Sequence, residues 1–301
     1  MKLLSVCIPV YNEENNVLNT YETIKKLLDE KLFNLDYEII FADNHSIDGT
    51  GSIIEKICSK DKKVKYIRYN KNIGYDRSIL QAYINSSGDA VVSIDCDLQD
   101  SPELILNFVE KWKEGYDLVY GVRKKRLEGG MFTFFRKIFY TIINYFSQDK
   151  YPKDVGDFKL IDKSIVSILR NINEPYPYVR GLVYSNSNKS FGIDYNRNKR
   201  EHGESKYGFF SALRYALNAI LENSYFFNAL FRYFSLFVLF LSLTVFLFSL
   251  ISGSSNLLLS FFIFILSFGL LILSIILEYI TRIYFFLKKK NIFSYEKKLN
   301  L

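Results

Sequence analysis

A chain of 301 residues, half of them hydrophobic, carries a formal net charge of +7. Its length allows one large domain or two ordinary ones, and its charge suits anionic lipid headgroups. No basic cluster is interleaved with aromatics in a nucleic-acid motif, which argues against a nucleic-acid partner, and two histidines, His45 and His202, are too few to support a His-rich metal site or a Ser-His-Asp triad.

The amino-terminal stretch MKLLSVCIPVYNEE does not read as a signal peptide, because its apolar run is short and acids follow at once. Strand-like and helix-like segments then alternate. LLSVCIPV, YEIIFA, VKYIRY, DAVVSI and DLVYGV read as strands; NNVLNTYETIKKLLDE, GTGSIIEKICSK, DRSILQAYINSS and SPELILNFVEKWKE read as helices. The last of these is expected to start at Pro102 with Ser101 as its N-cap. Such alternation implies a mainly parallel sheet with helices on both faces. Cys7, Cys58 and Cys96 lie in apolar segments without CxxC spacing and read as buried free thiols of a reducing compartment.

In such a sheet, ligands bind at the carboxyl ends of the strands. Polar clusters fall there: Tyr11-Asn12-Glu13 after the first strand, Asp43 after the second, Asp95-Asp97-Gln99 after the fourth and Arg123 after the fifth. The stretch IDCDLQDSPE offers oxygen ligands on a short turn. Taken alone it is either a strand end running into a helix cap or a grip on a cation. Hard oxygen ligands suit Mg²⁺ or Mn²⁺, which bind one or two carboxylates plus substrate phosphates. A DxD pair by itself occurs by chance in many proteins; DxDxQ at a strand end is a stronger signal.

Two segments further on, Met131 to Phe146 and Tyr207 to Asn223, read as amphipathic helices that lie in a membrane interface or pack on the sheet. Phe234 to Ser252 and Asn256 to Leu277 are uncharged and near the roughly 20 residues a spanning helix needs. The short turn between them makes a hairpin. Arg214 and Arg232 before it, and Arg282, Lys288, Lys289, Lys290, Lys297 and Lys298 after it, place both ends on the cytoplasmic side.

The segments IPVYNEENNV, FADNHSIDGT, IDCDLQDSPE, GVRKKR, DVGDFKLID, RGL and RNKREHGESKY, in that order, resemble the motif set of family 2 glycosyltransferases. The nearest subgroup is the polyprenyl-phosphate transferases, similar to dolichyl-phosphate mannosyltransferase and the bactoprenol glucosyltransferases. The resemblance implies a GT-A-type, Rossmann-like α/β fold. With the C-terminal two-helix transmembrane hairpin, the expected organisation is a cytoplasmic catalytic domain over 1–205, a juxtamembrane amphipathic segment over 206–232, the hairpin over 233–287 and a basic cytoplasmic tail over 288–301.

The resemblance also implies roles. Pro9, Tyr11, Glu13 and Asp43 match the nucleotide site, with Asp95 between nucleotide and metal. Asp97 and Gln99 match the metal ligands, and Arg200 matches an arginine that grips the donor diphosphate. Arg123 and Arg136 match arginines on the lipid phosphate, and Asp157 matches a residue proposed as base. Asn44 and His45 stand where relatives often carry Asp and Gly. The implied reaction moves a sugar from a UDP- or GDP-linked donor to polyprenyl (undecaprenyl) phosphate at the cytoplasmic membrane face, with inversion, for cell-envelope glycans. An acceptor phosphate is already anionic and needs positioning more than deprotonation, so Asp157 has an alternative role in orienting an arginine or the acceptor. The implied partners are donor, lipid phosphate and bilayer, and the resemblance admits a homo-oligomer. A polysaccharide synthase, which usually carries Gln-x-x-Arg-Trp, and a catalytically silent membrane scaffold are the competing readings; the single tryptophan, Trp112, and the intact DxDxQ speak against them.

Overall fold

Alternate side chains of a strand point to opposite faces, and LLSVCIPV uses both. In strand β1 (Leu3–Val10), Leu4, Val6, Ile8 and Val10 enter one core and Cys7 enters the other. The computed structural model describes residues 2–123, 155–172, 177–198, 226–253, 255–287 and 294–301. The five expected strands are present: β1, β2 (Asp36–Asp43), β3 (Val64–Tyr69), β4 (Ala90–Ser93) and β5 (Leu118–Arg123). Three more join them: β6 (Val155–Asp162), β7 (Ser190–Tyr195) and β8 (Tyr295–Leu299).

The sheet order is β7-β5-β6-β4-β1-β2-β3-β8. Four of the seven pairings are parallel, and β6 and β8 run against their neighbours. Helices α1 (Val17–Lys31), α2 (Thr50–Lys60) and α4 (Leu104–Lys113) pack their apolar sides into one core. Helices α3 (Tyr75–Ile84), α5 (Lys163–Leu169) and α6 (Val179–Ser185) pack into the other. The expectation of helices on both faces therefore holds, and Cys7, Cys58 and Cys96 are buried and free.

Strand direction decides where the chemistry gathers. The carboxyl ends of β1 to β5 share one edge of the sheet. Because β6 is antiparallel to β4 and β5, its amino-terminal residues lie at that same edge. β7 is parallel to β5, with Tyr195 registered on Arg123, so its carboxyl end lies there too. β8 is antiparallel to β3, which brings Tyr295 level with Tyr69.

Two expectations change. Helix α4 begins at Leu104, not at Pro102, and Ser101 does not cap a backbone amide with its side chain. Its hydroxyl instead donates to the Glu103 carboxylate, while its carbonyl accepts the Leu104 amide at 3.1 Å. Residues 295–299, read as part of a basic tail, form a strand. The edge of β3 would otherwise present unpaired backbone groups, and a five-residue strand rich in Lys meets that need while hiding in a charge run.

Helices α7 (Phe226–Ile251) and α8 (Leu257–Leu287) form a separate unit. Within them, Asn228–Ile251 and Leu257–Thr281 are long and apolar enough to cross a membrane. Their outer faces expose large apolar side chains such as Phe240, Phe248 and Leu266. Serine is prominent in what they bury. Ser235, Ser242 and Ser249 recur every seven residues on α7, as do Ser260, Ser267 and Ser274 on α8, and all six are buried. A period of seven keeps one seam facing its partner, and small residues let two helices approach in lipid. The Ser242 and Ser267 hydroxyls meet at 2.6 Å. Near the open end of the hairpin Arg232 pairs with Glu278 at 3.1 Å. The amphipathic segments expected at 131–146 and 207–223 lie outside the described residues.

Candidate active site

Three parallel strands end in one row. Val10 is registered with Asp43, and Asp43 with Arg68. Beyond Val10 the chain reverses through Asn12, at φ 52. Its side chain accepts the Ile47 amide at 2.9 Å, and its own N–H donates to Ser46 Oγ at 2.9 Å. The Glu13 amide donates to Thr50 Oγ1 at 2.8 Å, and the Glu14 carboxylate accepts the Gly49 amide at 2.8 Å. The Tyr11–Glu14 loop is thus stitched to the loop after β2. Pro9, Tyr11 and Glu13 are partly exposed along this edge.

Asp43 is different. It has no exposed surface. Its Oδ1 accepts the Ser46 amide at 2.8 Å, and its Oδ2 accepts Tyr66 Oη at 2.7 Å and Arg68 Nη1 at 2.9 Å. Asp43 thereby fixes the Arg68 guanidinium and the following loop. Burial and the neighbouring Asp43 charge push the Tyr66 phenol well above its usual range, so it stays a donor. Gly51 is required beneath this group: a Cβ there would lie 2.9 Å from Tyr66 Oη and 3.1 Å from Arg68 Nη1. Asn44 turns away, donating to Asn72 and accepting the Ile73 amide at 2.7 Å, and so organises the turn before α3.

The second half of the site gathers at the ends of β4, β5, β6 and β7. Asp95 accepts Tyr75 Oη at 3.1 Å and lies 3.5 Å from Arg197 Nη2. Burial, reinforced by Asp100, Asp157 and Asp97, pushes its carboxyl up to about 6, against the pull of Arg197. Asp97 Oδ1 accepts the Gln99 amide at 3.3 Å, across Leu98 at φ 50. Asp100 is buried under the turn. It accepts Tyr195 Oη at 2.5 Å and Arg123 Nη2 at 3.2 Å, with Arg197 Nε 3.2 Å away. Gly156 leaves room for the Arg123 guanidinium, since a Cβ there would meet it at 2.7 Å.

Asp157, at the start of β6, is gripped by Arg180 of α6: Nε donates to Oδ1 at 2.8 Å and Nη2 to Oδ2 at 2.5 Å. Lys159 Nζ, almost wholly buried, lies 3.5 Å from the same carboxylate. Burial would raise the Asp157 carboxyl, but Arg180, Lys159 and Arg123 outweigh it and hold it well below the usual carboxylate range. Burial lowers the Lys159 amine, which Asp157 partly offsets.

Among the described residues, this half of the edge thus interleaves the carboxylates Asp95, Asp97, Asp100 and Asp157 with Arg123, Arg180, Arg197 and Lys159. Among the described residues no three His, Cys, Asp or Glu side chains form a ready-made metal cage. An all-oxygen set of Asp95, Asp97 and Gln99 instead fits an ion that completes its shell with substrate phosphates, as Mg²⁺ and Mn²⁺ do.

Residues 5–170 match the family model described as Glycosyl transferase family 2. The chain belongs to glycosyl transferase family 2. This glycosyltransferase is 37% identical over 225 residues to the uncharacterized glycosyltransferase YkcC of Bacillus subtilis (strain 168), covering 73% of this chain and 68% of that one. It is 31% identical over 238 residues to the bactoprenol glucosyl transferase of Shigella phage SfX, covering 78% and 77%. Among solved structures, a mycobacterial protein aligns with a TM-score of 0.51 at 17% identity over 73% of this chain and 74% of that one, which supports the fold.

Asp95, Asp97, Gln99, Arg123 and Asp157 come together in the glycosyltransferase as one cluster, with Pro9, Tyr11, Glu13 and Asp43 along the same edge. Arg136 and Arg200 lie outside the described residues. Sequence reasoning passed over Asp100, Lys159, Arg180 and Arg197, although all four stand inside the quoted motif segments. It passed over Arg68 as well, which reads as an ordinary strand residue, and Tyr75 and Tyr195, which fall outside the elements read from the sequence.

Proposed function

We propose that this glycosyltransferase moves a sugar from a UDP- or GDP-linked donor to polyprenyl phosphate at the cytoplasmic face of a membrane, inverting the anomeric centre. The observation that carries the reading is the likeness to bactoprenol glucosyl transferase across 78% of the chain, which reaches beyond the family-matched region. The apolar hairpin supports a lipid acceptor.

The nucleoside end of the donor is assigned to the β1–β3 corner with Pro9, Tyr11, Glu13 and Asp43, and its diphosphate to Asp95, Asp97, Gln99 and Arg200. A divalent ion held by Asp97 and Gln99, with Asp95, would offset the charge of the departing diphosphate. Arg123 and Arg136 are assigned to the acceptor phosphate, where guanidinium forks position and partly neutralise an anion. Attack from the face opposite the leaving group needs no covalent enzyme intermediate. Asp157, held ionised by Arg180, has little affinity for a proton near neutral pH, and its part in this reading is to orient Arg180. The Trp112 indole has a structural partner, donating to Asp162 at 2.8 Å.

The test is transfer from a panel of radiolabelled nucleotide sugars to undecaprenyl phosphate by the full chain in vesicles. Label in an organic-extractable, lipid-linked monosaccharide supports the reading. Polymeric product, or no lipid-linked product with any donor, overturns it.

A further inference from the structure

Two carboxylates hold Arg68 from different strands. Asp43 of β2 accepts Nη1 at 2.9 Å, Glu296 of β8 accepts Nε at 3.0 Å, and the Ser46 carbonyl accepts Nη2 at 2.9 Å. Every nitrogen of the guanidinium is directed, yet a fifth of the side chain stays exposed. Glu296 Oε2 also lies 3.4 Å from His45 Nδ1, in a residue held at φ 67 and bonded to the Tyr69 carbonyl. Since Asp43 is wholly buried, it reaches a ligand only through its neighbours, and Arg68, His45 and Glu296 add to the surface that Pro9, Tyr11 and Glu13 offer at this corner. The carboxylate that orients Arg68 and His45 arrives from the segment after the apolar helices.

The place of this corner limits what it would meet. The diphosphate belongs with the acidic turn after β4, and β1, β2 and β3 step away from that turn in sheet order. A donor laid along the edge brings its nucleoside towards Arg68. Uracil and guanine both present a carbonyl oxygen at their edge, and a fixed guanidinium supplies N–H donors and a flat face to stack on.

We propose that Glu296 is a positioning residue for the nucleoside end of the donor, acting through Arg68 and His45 and not by transferring any proton or charge itself. The proposal rests on the assignment of the β1–β3 corner to the nucleotide. It makes the last strand of the chain part of the donor site.

The test uses the full chain in vesicles with Glu296→Gln, Glu296→Asp, Lys297→Ala and Asp43→Asn. Binding of UDP and GDP is measured by calorimetry, with KM for donor and acceptor, kcat and melting temperature. Lys297 sits on the same strand but pairs with Glu55, so its variant reports on strand stability alone. Glu296→Gln is expected to raise the donor KM about fivefold, the upper range for a half-exposed ion pair, with kcat and acceptor KM unchanged. Glu296→Asp recovers part of the loss, and Lys297→Ala leaves donor KM alone. If Asp43→Asn weakens nucleotide binding and Glu296→Gln does not, Glu296 has no such role while the corner keeps its nucleotide. If neither weakens binding, the corner assignment falls as well.

Discussion

Arg180 and Asp157 form a two-pronged ion pair, joining α6 to the first residues of β6 at 2.8 and 2.5 Å. The geometry is that of a guanidinium fork on a carboxylate, which fixes both planes. It turns a residue that family resemblance casts as a base into one that holds a cation in place.

That relationship makes a first prediction. Asp157→Asn and Arg180→Ala should each reduce kcat/KM by roughly 100-fold, the scale of breaking a buried charge pair at about 3 kcal/mol. The double variant should lose little more, because the two residues act as one unit. Additive losses in a double-mutant cycle would separate their roles.

A second concerns pH. The folded Asp157 carboxyl is depressed, so its contribution to stability is complete above the ordinary carboxylate range and fades only as pH falls below it. The acid limb of kcat/KM should therefore be unchanged in residual-activity measurements on Asp157→Asn. Disappearance of that limb in the variant would restore Asp157 as a titrating base.

A third concerns the ion. Chelation should abolish transfer by the full chain, and Mg²⁺ or Mn²⁺ should restore it. Asp97→Ala, a partly exposed change at a turn, should leave the circular dichroism spectrum unaltered and lower activity by at least about 100-fold. Full activity in that variant would remove Asp97 from the metal site.

A fourth separates structure from catalysis at Asp100. Its buried carboxylate is shared by Tyr195, Arg123 and Arg197. Asp100→Asn should cost roughly 1–3 kcal/mol of stability, since it leaves two partly buried cations short of a counter-charge. Denaturant melts of the detergent-solubilised protein would show it as a lower midpoint.

The fifth lies in the hairpin. Ser242→Leu places a bulky side chain where two helices meet at hydroxyl distance and should weaken their packing by about 1–3 kcal/mol. Ser242→Ala should change it by only about 0.6 kcal/mol, the typical worth of such a bond in lipid. Protease resistance of the hairpin in vesicles distinguishes the two.

Much of this was legible in the sequence because periodicity and motif spacing carry it. The five strands of the first half are bounded by Gly, Asn and Asp, and each ends in a polar cluster. Strand β6 was hidden because DVGDFKLID mixes charge into an apolar run, and Lys159 is buried in the middle of it. Strand β8 was hidden by its lysines. Nothing local in the sequence assigns Asp100 a role, since its partners come from β5 and β7, distant in the chain. Arg180 stood in a quoted motif, but only the reversed direction of β6 explains why it meets Asp157. The serine seam has a plain period of seven, which a search for uncharged length overlooks.

The edge strand β8 also sets an order of assembly. Ribosomal synthesis delivers α7 and α8 before residues 295–299, so β3 keeps an open edge until the hairpin has left the ribosome. A fragment cut ahead of the hairpin never receives that strand. It keeps β3 as a bare template for another chain, and should form sheet-paired oligomers from which a synthetic peptide spanning 294–301 rescues the monomer.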